Sequence, residues 1–388
     1  MIYLDNAATT RVDERVVKSM QPYLTQKFGN ASSSHNIGFE AEQALEKSRK
    51  IIAKKINASV KEIIFTSGGT ESNNLVLKGL FFANAKNSGK IQKNHIITTK
   101  TEHDCVLQSC EWLKTQGAKI TYLKVDSEGF IDLKELEKAI SPKTLVVSII
   151  HANNEIGTIQ DLEKIGEICK RKKVYFHTDE CQSFLKTELD VKKQNLDFVT
   201  LNAHKIHGPK GVGALYIRTG IKITPLAHGG GHENKLRSGT ENIPGIVGFA
   251  RAVEIFSKRD IKSMIKLRNK LIKGILEIKD TKLNGPSDSD GKKRLYNNIN
   301  VSFENIEGEA IGGILSDMGI YTSTGSACMS HSLEPSHVLI ALGLTPLQAN
   351  SSIRMSLSKH TTSKDIDFVL KVLPKAVKRL RRYSPFAK

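Results

Sequence analysis

Five cysteines are few for 388 residues, and none falls in a Cys-x-x-Cys pair. Cys105, Cys110, Cys169, Cys181 and Cys328 form an odd, irregular set, which excludes a disulfide framework and a paired-cysteine zinc site. A reducing, cytoplasm-like compartment is therefore expected. Aromatic residues make up 6% and there is one tryptophan, too little for a base-stacking surface. No run approaches the ~20 apolar residues of a membrane span. The opening MIYLDNAATT has neither the basic nor the apolar region of a secretory signal, which leaves a cleaved organelle peptide as the one alternative to a cytoplasmic location. Carboxylates are also short: 40 Asp plus Glu face 58 Lys plus Arg, for a formal charge of +18. Such a surface attracts anions. It raises the alternative of a basic scaffold that binds a partner or nucleic acid, and Lys375, Lys378, Arg379, Arg381 and Arg382 are its densest cluster. A solvated helix face explains that cluster more simply.

Hydrophobic residues at 39% and charged residues at 25% describe an ordinary folded protein. Between Glu62 and Arg218, apolar runs alternate with helix-like stretches. The runs are EIIFT, HIITT, KITYLKV, TLVVSII, VYFHTD, DFVTL and GALYIR. Continuous rather than alternating runs mark strands covered on both faces. An α/β fold with a mostly parallel sheet between helices follows, with ligands at the carboxyl ends of its strands. After Phe256 the rhythm changes to a Lys-rich helix, a turn at Asn284-Gly285-Pro286, a strand NNINVSF and further helices. This predicts a large domain over 15–255 and a smaller α+β domain formed by 1–14 and 256–388.

Three features carry chemistry. Lys205, in NAHKIHGPKG, follows the run DFVTL, where desolvation lowers a lysine's pKa and favours a Schiff base with an aldehyde. Asp179 ends the run VYFHTD; a carboxylate there either N-caps a following helix or pairs with a cation such as a protonated pyridine. SGGTESNN, from Ser67, lies between a strand and a helix, and its helix N-terminus suits an anion. A phosphate cup, a carboxylate and a lysine in that order fit one cofactor lying across the sheet edge. Cys328 stands apart in TSTGSACMS, whose small polar neighbours suit a reactive thiol better than a packed one.

With YLDNAATT, FGNASSSH, EHDCVL, NNEIGTIQ, RSGTEN, EPSHVL and SIRMSL added in order, the chain resembles class I, NifS/IscS-like cysteine desulfurases. These are fold-type I enzymes of the class-V aminotransferase family that use pyridoxal phosphate. The resemblance implies that Lys205 holds the cofactor and moves protons, that Asp179 pairs with its pyridine nitrogen, and that Gln182 bonds its phenolic oxygen. His103 would stack on the ring and shuttle protons, and Asn154 would contact the ring oxygen or the substrate carboxylate. Gly69, Thr70, His204 and Asn202 would hold the phosphate, with Thr240 reaching that of the neighbouring subunit in a homodimer. Arg354 would bind the carboxylate of L-cysteine. Cys328 would take the sulfur as a persulfide, leaving L-alanine, and pass it to an acceptor in iron–sulfur assembly or tRNA thiolation. No permanent metal site is implied; Cys328 is a candidate transient iron–sulfur ligand. Selenocysteine lyase activity is the enzymatic alternative. Asn202 stands where these enzymes usually have Ser, His232 replaces a common Gln, and Ala31 a Pro. None of these removes a catalytic group.

Overall fold

The computed structural model describes residues 1–85, 92–258, 261–325 and 334–384. Its strands are β1 (Ile2–Tyr3), β2 (Ile63–Thr66), β3 (His95–Thr99), β4 (Lys119–Leu123), β5 (Thr144–Ser148), β6 (Tyr175–Asp179), β7 (Phe198–Asn202), β8 (Gly213–Ile217), β9 (Thr281–Leu283), β10 (Asn298–Phe303), β11 (Ile320–Tyr321) and β12 (Ser352–Ser356). Seven of them form one sheet in the order β2-β8-β7-β6-β5-β3-β4. β4, β3, β5, β6 and β7 run parallel, while β8 lies antiparallel to both β7 and β2.

The continuous apolar runs have the expected cause. Every residue of β2, β3, β5, β7 and β8 is buried, and the pleat sends neighbours to opposite faces. Phe65, Ile97, Val147 and Val199 pack with Ala41, Leu45 and Ile52 of the Asn36–Lys55 helix and with Ile246 and Phe249 of the Ile243–Ile255 helix. Ile64, Ile96, Val146 and Phe198 pack on the other side with Leu75 and Leu77 of the Gly69–Ala85 helix and Val106 and Leu113 of the Asp104–Thr115 helix. Two strands stop two residues short of their sequence runs. β4 ends at Leu123 because the chain turns at Asp126, whose carboxylate accepts the N–H groups of Glu128 and Phe130. β5 ends at Ser148, and the next-but-one N–H, of Ile150, goes to the Glu102 carboxylate instead of a ladder.

A separate core lies beyond. β10 pairs antiparallel with β12 and β9, and β1 pairs in parallel with β11. Leu4, Leu271, Val301, Ile353, Met355, Ile366 and Val369 pack together there. β9, only three residues of TKL, was too short to be expected from its pattern. The closing helix, Ser363–Tyr383, starts on a capping box between Thr362 and Asp365. At its end Arg381 donates to the carbonyls of Lys279, Asp280 and Glu304, so this member of the basic cluster is structural. Residues 5–10 bridge the two cores: Ala7 N–H donates to Ser356 Oγ (2.7 Å), and Thr10 Oγ1 to the His204 carbonyl (2.7 Å).

Candidate active site

The carboxyl ends of β2, β3, β5, β6 and β7 share one edge of the sheet, and each is followed by predicted site residues. Gly69 and Thr70 follow β2, His103 follows β3, Asn154 follows β5, Asp179 ends β6 with Gln182 just beyond it, and Asn202 ends β7 with His204 and Lys205 just beyond it.

Asp179 is buried at 3% exposure. Burial alone would raise its pKa, but the Cys181 N–H (2.8 Å to Oδ1), the Asn73 amide (2.7 Å to Oδ2) and His103 bring it below the ordinary carboxylate value. It therefore caps the turn at Cys181 and stays an anion. His103 is the N-cap of the Asp104–Thr115 helix: its Nδ1 accepts the Cys105 N–H at 3.2 Å. Burial, then the positive charge of Lys205, depress its pKa. Since Nδ1 accepts, the neutral ring carries its proton on Nε2.

Lys205 lies in the turn after β7, half-buried, with no hydrogen bond or ion pair within the described residues. His204 Nδ1 meets Thr9 Oγ1 at 3.1 Å, and burial with Lys205, Lys210 and Lys186 nearby pushes it down to about 4. Asn202 Oδ1 is buried without a partner. The Gln182 amide donates to the Ala7 carbonyl at 2.8 Å, leaving its second N–H.

Four further expectations meet mixed surroundings. The Gly69–Ala85 helix makes its first internal bond from Ser72 to Gly68, so the N–H groups of residues 69–71 are free to meet an anion. Gly69 is required there: a Cβ would come within 2.5 Å of Cys181 Sγ. Arg354, 1% exposed on β12, is not a free fork. Its Nη2 donates to Asp5 (2.8 Å) and its Nη1 to the Asn154 carbonyl (3.3 Å), while Nε is buried without a partner. Thr240 lies on the exposed surface, and Cys328 lies outside the described residues.

Sequence reasoning missed Asn73, Cys105 and Asp5. Asn73 stands in the quoted SGGTESNN motif, one helical turn after Thr70, and that spacing was the available signal. Asp5 reaches Arg354 only across the junction of the two cores, which no local pattern reveals.

The edge fits a planar anionic cofactor. Among the described residues it offers an ionised buried carboxylate, a lysine without partners, helix N–H groups without acceptors and an Asn202 amide oxygen without a donor. Such a set of groups suits pyridoxal phosphate, the cofactor of the enzyme class to which this chain belongs. The family model for aminotransferase class-V matches residues 2–369, and the chain belongs to that family. Cysteine desulfurase IscS of Methanosarcina thermophila is 49% identical over 99% of this chain and 94% of its own length. The mitochondrial cysteine desulfurase of Saccharomyces cerevisiae is 46% identical over 99% of this chain and 76% of its own. Among solved structures, a NifS-like protein matches with a TM-score of 0.89 and 42% identity, covering 98% of this chain and 100% of that one. SspA in complex with cysteine matches at 0.82 and 38% identity, covering 93% and 100%.

Proposed function

We propose that this enzyme is a cysteine desulfurase that takes sulfur from L-cysteine, releases L-alanine and carries the sulfur as a persulfide on Cys328. The observation behind the reading is the meeting of Lys205, Asp179 and His103 at one sheet edge, in a chain whose relatives are named for this activity. Pyridoxal phosphate supplies an aldehyde that condenses with amines and a ring that accepts electrons. Asp179, held ionised by Cys181 N–H and Asn73, would face the protonated pyridine nitrogen. The N–H groups of residues 69–71, Thr70, His204 and Asn202 would hold the phosphate, with Gln182 and Asn154 at the ring oxygen.

Lys205 would hold the aldehyde and afterwards, as a free amine, move protons at the substrate carbons. Neutral His103, with its proton on Nε2, would act as the proton carrier there. Arg354 would bind the substrate carboxylate through a guanidinium already oriented by Asp5. The Cys328 thiolate would attack the substrate sulfur. A sulfur–sulfur bond forms as the carbon–sulfur bond breaks, and the electron pair left on carbon takes a proton to complete alanine.

The domain division at 15–255 assigns this edge to the large domain and Arg354 to the small one. Leu24, Phe28, Ile37 and Phe39 are large apolar side chains exposed near one another in sequence, which supports a homodimer with Thr240 shared across it. The basic surface would steer an anionic sulfur acceptor, for iron–sulfur assembly or tRNA thiolation. The alternative of a retired basic scaffold is disfavoured by the complete set of catalytic groups. Lys205→Ala tests the reading: the purified variant should lose the visible cofactor absorbance of the native protein. An unchanged spectrum would overturn it.

A further inference from the structure

Cys105 stands where the site's electrostatics meet. Its Sγ accepts a hydrogen bond from Asn73 Nδ2 at 3.1 Å and lies 3.2 Å from His103 Nδ1. The same Asn73 amide nitrogen donates its other hydrogen to Asp179 Oδ2 at 2.7 Å. The backbone N–H of Cys105 already occupies Nδ1, so Nδ1 is an acceptor, and the group that can approach it from Sγ is the S–H donor. Burial, with the negative charge of Asp179, raises this thiol to about 12. It therefore remains S–H and is no second nucleophile.

We propose that Cys105 is a positioning residue for His103: its thiol and backbone N–H together hold Nδ1 as an acceptor, and through Asn73 they link that ring to the carboxylate of Asp179. This rests on the proposed role of His103 as a proton carrier, but concerns the ring's own proton. A ring held this way is fixed as the Nε2–H tautomer, aimed away from the helix start. Protonating Nδ1 would set its N–H against the Cys105 N–H and forfeit the bond from the thiol, so both Cys105 contacts favour the neutral ring. The other charged groups facing the ring are Lys205 from the turn after β7, Asp179 at the end of β6, Asp104 on its own helix, and His337. Substitution at position 105 leaves all of them in place.

The test is a pH titration of the holoenzyme labelled at histidine Cε1, followed by NMR, with the His103 signal assigned by its loss in His103→Gln. Cys105→Ala should raise the His103 midpoint by roughly half to one pH unit, the worth of one neutral hydrogen bond. Cys105→Ser, which restores a donor, should bring it back toward the native value. A space-filling role predicts the same midpoint in all three proteins, and that result would overturn the proposal. Should the Ala variant not fold, nitrogen spectra of the native holoenzyme decide. Nε2 must carry the proton at neutral pH, and a proton on Nδ1 refutes the assignment. Neither readout requires turnover of cysteine, so the proposal can fail while the desulfurase reading stands.

Discussion

The buried carboxyl of Glu102, beside His103, holds its proton well above the ordinary carboxylate range. Burial pushes it up to about 8, against the pull of the Ile150 N–H and the Thr99 hydroxyl, and the nearby Asp179 charge adds to the rise. One of its oxygens, Oε2, has no hydrogen-bond partner among the described residues. The folded chain thus keeps a proton that the unfolded chain releases above its ordinary value of 4.5. The stability this contributes is complete below the unfolded value and is lost as pH rises through the folded one. Glu102→Gln keeps the shape and removes the titration. Thermal melts should show the native protein losing stability relative to the variant as pH rises from about 4.5 to about 8, and levelling off above that; parallel melting curves across that range would show that Glu102 is ionised throughout. None of this was readable beforehand. EHDCVL shows a Glu next to a His, but only the fold reveals that the Glu lies under the sheet edge with 1% exposure.

At the scale of elements, the loop leading to Thr240 depends on a buried ion pair. Arg49, on the Asn36–Lys55 helix, donates two parallel bonds to Glu233 at 2.7 and 2.8 Å and a third to the Ile63 carbonyl at 2.7 Å. Glu233 Oε2 also accepts the Phe65 N–H at 2.7 Å, so helix, strand β2 and loop share one carboxylate. Glu233, Asn234 and Lys235 all have left-handed φ, at 45°, 56° and 64°, a conformation costing non-glycine residues about 1–2 kcal/mol each. The pair supplies the restraint that keeps this turn folded. Arg49→Met would leave Glu233 buried and uncompensated, at a cost of about 3–5 kcal/mol, measurable by denaturant unfolding. A loss below about 1 kcal/mol, as at an exposed pair, would mean that the carboxylate finds another partner.

Elements were the most legible scale. The sheet strands follow from continuous apolar runs, because that signal is local. What stayed hidden was the short β9, the ends of β4 and β5, and the bonds that cross elements. His177 illustrates the limit. Next to Asp179 in sequence, it bridges Ser148 at 2.8 Å and Thr200 at 3.1 Å, and burial lowers it to about 4. A neutral ring pinned between neighbouring strands is part of the sheet, not of the chemistry.

At the scale of the whole molecule, two cores meet at residues 5–10, and the site draws on both. Lys205, Asp179 and His103 belong to the sheet edge, Arg354 to β12, and Asp5 to the segment between them. The resemblance in sequence named most of these groups by motif, Arg354 among them for the substrate carboxylate, but only the fold shows that its guanidinium is already bonded to Asp5 and the Asn154 carbonyl. The +18 charge has no visible part in this machinery; its place is at the surface, where an acceptor would arrive. The central claim is that sulfur leaves L-cysteine for Cys328. The most direct measurement is the yield of alanine and sulfide from L-cysteine with a reductant, comparing the native enzyme with Cys328→Ser. The native enzyme should make both in equal amounts, and the variant should keep its cofactor spectrum while losing nearly all of both products. Undiminished alanine and sulfide from Cys328→Ser would contradict the account.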